Sequence, residues 1–176
     1  MNYIYHWVPE DMQGDTLYPL NILKDLHPDL YATEALKYTG RERVMQQQIP
    51  ILNCLWNDVI HFSPIHPWII KQALIDAGRT KSFTTSFFEI DPHLLTPENT
   101  IVYLHKHTDK THKMTEENFA KFDPDNVGQY AELPQVTKDY YKEMYGKGER
   151  PLLFVGVPHI LYKGSINTNE IKRISL

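Results

Sequence analysis

The sequence predicts an α+β domain, and three observations carry that expectation. Short aromatic and β-branched runs such as "YIYHWV" and "TIVYLHKH" read as strands. Between them, apolar residues recur at helical spacing, as in "WIIKQALIDAG". A chain of 176 residues with 41% apolar and 23% charged residues is long enough for one sizeable core, so a single domain over residues 1–176 is expected.

The chain opens with a strand over residues 3–8, ended by Pro9 and carrying His6. Leu20, Leu23 and Leu26 then recur at near-helical spacing before Pro28, and Leu30, Ala35 and Leu36 mark a second helix ending near Gly40. Residues 48–63 alternate and then run apolar, which predicts one or two strands with a turn near Asn57 and Asp58. Pro64 and Pro67 stop the sheet, and residues 68–78 place Ile69, Ile70, Ala73, Leu74 and Ala77 on one helical face before Gly78. "HFSPIHP" is therefore a strand-to-helix corner. A strand in 86–95 turns at Asp91 and Pro92, and another strand is predicted over 100–107. In the polar stretch from Thr108 to Tyr145, "FDPDNVGQYAELPQ" reads as a long loop and "VTKDYYKEMYGKG" as a helix that ends at Gly146. Two apolar strand segments on either side of Pro158 close the chain.

With 22 acidic against 18 basic residues, the charge argues against a dedicated duplex-binding protein. The single cysteine, Cys54, forms no internal disulfide and reads as a small buried hydrophobe. The N-terminus has no basic-then-apolar signal pattern, and no run approaches the ~18 apolar residues of a membrane span, so no membrane partner and a cytoplasmic location are expected.

Nine histidines raise the question of metal. On a strand, His105 and His107 would point the same way, with Asp109 and His112 nearby, but HExxH and paired CxxC spacings are absent. The expectation is no metal; a small metal-dependent hydrolase using His105, His107 and His112 is an alternative. In the corner, Pro64 and Pro67 fix φ around His61, Ser63 and His66, and the helix opening at Pro67 or Trp68 offers unpaired N–H groups to an anion. A plain turn with solvated histidines is the other reading. Glycine-rich phosphate loops, GxSxG elbows and Rossmann fingerprints are absent.

Four segments, in order, resemble a known family. "YHWVPEDMQGDTLYPLNIL" resembles the opening of ADP-ribosyltransferase-type domains, where such a histidine hydrogen-bonds the ribose of NAD. "HFSPIHPWIIKQAL" is similar to the proline-flanked corner of the DarT-type DNA ADP-ribosyltransferases, and "FFEIDPHLL" to their strand and Asp-Pro turn. "ERPLLFVGVPHI" looks like their last strand, where a catalytic glutamate precedes an apolar run. The resemblance implies a split β-sandwich with peripheral helices and an NAD cleft between its sheets. It implies NAD as the small-molecule substrate and a nucleic acid or protein as acceptor. Two positions depart from the pattern: Ile65 stands where the family carries an arginine, and Glu149 falls off the register of the final glutamate. A domain that binds NAD without turning it over is accordingly a second reading.

Cleavage of the nicotinamide glycosidic bond passes through an oxocarbenium-like state, which a carboxylate stabilises while hydrogen bonds hold the sugar. His6, Tyr5 and Ser63 are the candidates to position it, with His61 and His66 at the corner, and Glu149 or Glu89 is the candidate carboxylate. Each has a plain structural alternative: Tyr5 in the core, Ser63 as a helix cap, Glu89 and Glu149 solvated, His6 a satisfied core histidine. Lys106, Lys110, Lys113 and Lys121 among Tyr130, Tyr140 and Tyr141 could contact a single-stranded acceptor, or could form a mixed-charge face with Glu116, Glu117, Asp123 and Asp125.

Overall fold

The computed structural model describes residues 2–81, 84–105 and 114–176. It is a mixed α+β structure built on antiparallel sheets. Strand β1 (Ile4–Trp7) leads to the two-residue β2 (Thr16–Leu17), then to helices α1 (Leu20–Leu26) and α2 (Pro28–Ala35). Pro28 starts α2 because its missing N–H costs nothing at the first helical position. A short ribbon follows, β3 (Gln48–Ile49) with β4 (Cys54–Leu55), turning at Asn53, whose φ is 45°. A 3-10 turn (Trp56–Asp58) enters β5 (Ile60–Phe62), and the corner then enters α3 (Pro67–Asp76).

Beyond α3 come β6 (Ser86–Ile90), β7 (Thr100–Tyr103) and β8 (Phe119–Lys121). Helix α4 (Gln135–Gly146) precedes β9 (His159–Tyr162), β10 (Ile166–Asn167) and β11 (Lys172–Ser175). One sheet has the order β1-β6-β11 and the other β5-β9-β7-β8; β2 and β10 form a separate ribbon. A lone pair of bonds joins β1 to the end of β5: Tyr5 N–H donates to the Ser63 carbonyl at 2.8 Å, and Ser63 N–H donates to the Tyr5 carbonyl at 2.9 Å.

Alternation places one face of each sheet in a common core. Ile4, Phe88 and Ile90 from the first sheet meet Ile60, Phe62, Val102, Ile160 and Tyr162 from the second. The opposite face of the second sheet carries Tyr103, Leu161 and Phe119 against Ile49 and Cys54 of the ribbon. A third cluster seats α3 on α4 through Ile65, Ile70, Leu74 and Tyr141. Among the described residues no helix is long and apolar enough to cross a membrane.

Three expectations change. The strand foreseen over 100–107 ends at Tyr103, and His105 adopts a left-handed φ of 44° instead of continuing it. The expected long loop over 122–135 contains a 3-10 helix (Pro124–Tyr130), and the unforeseen β8 precedes it, because Phe119, Phe122 and Val127 have buried apolar surface to contribute. The last apolar run forms one strand of the second sheet and not two. Gly156, at φ 74°, turns the chain over α4 before β9 starts.

Candidate functional site

The loop after β1, the helical pair α1–α2 and the Trp56–Asp58 turn enclose a cavity of about 90 Å³. His6 and His61 both line it, so the two sheets bring these two sequence candidates together beside their junction. A larger, shallow depression of about 670 Å³ lies beside Pro97, Phe122 and Gln129 and touches none of the catalytic or binding candidates.

His6 Nδ1 lies 2.6 Å from the Trp7 carbonyl, which can only accept, so Nδ1 carries the proton. Burial holds the ring's pKa down at about 4, aided by the nearby Lys37 charge, so it is neutral at pH 7 and Nε2 is an acceptor. His61 has the same character: Nε2 donates to the Trp56 carbonyl at 2.9 Å, and burial lowers its pKa to about 3. His159 repeats the pattern, donating through Nδ1 to the Val157 carbonyl at 2.7 Å, with its pKa pushed down to about 3. Each of these rings therefore keeps one nitrogen able to accept from a hydroxyl.

His61 and His159 belong to an aromatic row on the second sheet. Their centroids are 6.1 Å apart; Trp56 lies 4.4 Å from His61, and Tyr103 stacks at 5.2 Å on His105. His105 is 5.5 Å from His159, and its Nδ1 is buried without a partner. Among the described residues no group of three or more His, Cys, Asp or Glu is arranged to hold a metal ion; His107, Asp109 and His112 lie outside them.

Other candidates go elsewhere. Tyr5 and Glu89 are cross-strand partners in alternation with His6, so they share the opposite face of their sheet. Tyr5 is buried against the His66 ring, its centroid 5.0 Å away, and its pKa is pushed up to about 12 by burial and then by Glu89. Glu89 accepts from Lys172 Nζ at 2.6 Å. Ser63 is buried, and its Oγ accepts from Ile65 N–H at 3.1 Å, closing the corner internally. His66 caps α3, its Nδ1 accepting from Trp68 N–H at 3.1 Å, so that group is not free for an anion. Glu149 is exposed just beyond α4, its N–H donating to the Met144 carbonyl at 2.9 Å, away from the cavity.

Glu34, Lys37 and Asn57 also line the cavity and were not among the sequence candidates. The first two fall at i and i+3 where α2 runs into its 3-10 extension, and they pair at 3.3 Å. Asn57 is 1% exposed, yet neither atom of its amide has a hydrogen-bond partner. A buried polar group left unpaired costs about 1–3 kcal/mol, so this turn carries a penalty with no return inside the fold.

In the stretch considered for an acceptor, Tyr141 is fully buried with its hydroxyl donating to the Leu153 carbonyl, and Tyr130 packs against the main core. Neither ring is presented for stacking. Lys121 is exposed, and Lys106, Lys110 and Lys113 lie outside the described residues. Comparison of the chain with protein-family models, curated proteins and solved structures gives no match.

Proposed function

We propose that the cleft beside the sheet junction binds NAD and that ADP-ribosyl transfer to a nucleic acid or protein acceptor is its reaction. The observation that carries this reading is the convergence of His6 and His61 on one cavity where β1 and β5 are joined by a single bridge. The donor set fits the ligand. Neutral His6 offers Nε2 to a ribose hydroxyl, and Lys37 supplies a cation for a phosphate, the role left open by Ile65 at the corner. Glu34 is the carboxylate nearest this chemistry by placement, since it lines the same cavity. NAD brings a glycosidic bond whose nicotinamide is a good leaving group. The chain's part is to hold the ribose, oppose the phosphate charge and set a carboxylate against developing positive charge.

The second reading, binding without turnover, is favoured by one fact: neither Glu89 nor Glu149 lines the cleft. Incubating the protein with labelled NAD and with single-stranded oligonucleotides or protein acceptors separates the two. Release of nicotinamide with label on the acceptor supports transfer. Binding with intact NAD supports the silent module.

A further inference from the structure

The turn Trp56–Asp58 is bonded on both sides of one residue that is not. Asp58 accepts from Leu55 N–H at 2.7 Å and from Asn21 Nδ2 at 2.6 Å, and the Trp56 carbonyl accepts from His61. Asn57, between them, lines the cavity with both amide atoms unpaired at 1% exposure. A carboxamide presents a donor and an acceptor side by side, and its complement is a second donor–acceptor pair such as an aromatic carboxamide.

We infer that Asn57 reads the carboxamide of a nicotinamide ring that enters this cavity. The inference rests on the NAD reading above and adds which end of the dinucleotide goes in. The walls support it: Leu17, Leu20, Tyr38 and Val59 offer apolar and aromatic surface to a flat ring. With the ring inside, the attached ribose falls next to His6 at the cleft wall, and the phosphates lie toward Lys37. The terminal torsion of asparagine is broad, so the amide can turn toward a ring once the walls around it give way.

The test is calorimetric titration of NAD, nicotinamide, nicotinic acid and AMP into wild type, Asn57→Leu and Asn57→Asp, with thermal melting of all three proteins. Nicotinamide should bind wild type and compete with NAD. Nicotinic acid, which lacks the donor, should bind at least about tenfold more weakly. Asn57→Leu should weaken NAD and nicotinamide by at least about tenfold while its melting midpoint stays level or rises, since two unpaired polar atoms are gone. Asn57→Asp keeps the shape and should show the same binding loss, which covers the case in which leucine fails to fold. Wild-type NAD affinity in either variant overturns the role of Asn57 and leaves the NAD reading standing. A loss confined to AMP reassigns the amide to adenine and overturns the nicotinamide assignment. Failure of wild type to bind NAD or nicotinamide removes the reading beneath the inference and the inference with it.

Discussion

The environment of single side chains decides which histidine does what. His6 is one residue among Tyr3, Tyr5 and Trp7, and its strand position puts it on the face opposite Tyr5. The same alternation separates Glu89 from it, so a candidate pair that looks equivalent in sequence divides between two faces. Glu89→Gln should therefore leave NAD affinity and any nicotinamide release unchanged, whereas Glu34→Gln should lower release; reversed results would show that the wrong carboxylate has been placed at the cleft. His6 was legible in the sequence because a histidine in an aromatic strand needs a partner. Lys37 and Asn57 were not. Lys37 looks like any solvated helix lysine, and Asn57 looks like a turn asparagine, the commonest use of that residue in such a position. Only the packing of α1 and α2 over the turn reveals either.

Elements were more readable than their contacts. "HFSPIHP" turns at prolines and opens α3 as foreseen, but its Ile65 is fully buried among Ile70, Leu74 and Tyr141. Ile65→Ala should destabilise the fold by about 2–5 kcal/mol, measured by urea unfolding, because the site is enclosed by other side chains. A cost below about 1 kcal/mol would mean that the corner collapses around the gap. The final apolar run misled because hydrophobicity alone does not mark a left-handed residue. Gly156 sits at φ 74°, and a Cβ there would lie 2.9 Å from Thr137 Oγ1 and 3.1 Å from Val136 Cγ1 on α4. Gly156→Ala should cost more than about 1 kcal/mol from backbone strain and that clash together. The missed strand β8 has a different cause: Phe119–Lys121 is short, and it gains its pairing only from the edge of β7.

At the scale of the whole molecule, the junction of two sheets sets both stability and site. The neutral histidines make stability fall on the acid side. The pKa values of His6, His61 and His159 lie at about 4, 3 and 3, below the ordinary value of 6.5, so between these limits the unfolded chain binds the extra protons. Stability is fully present above about pH 6.5 and falls as pH drops toward 4, by at most about 1.4 kcal/mol per unit for each ring. The rings retain some solvent exposure, so the realised slope is smaller. His93, held up by Asp91 and Asp125, works in the opposite sense and loses its contribution as pH rises, but it is exposed and screened. Urea midpoints at about pH 7 and about pH 5 should show the fall, and equal midpoints would mean that the histidines are not held neutral. The α+β class was legible from run length and spacing. The joining of the sheets by one bridge was not, because the Tyr5–Ser63 pair is long-range and its bonds are backbone to backbone. The central claim is that this junction holds NAD through His6, and it is tested most directly by titrating NAD into wild type and His6→Ala under ligand-observed NMR. Saturable binding to wild type, lost or weakened at least about tenfold in the variant with its fold intact, is the predicted result. No binding to wild type, or equal binding to both, would contradict it.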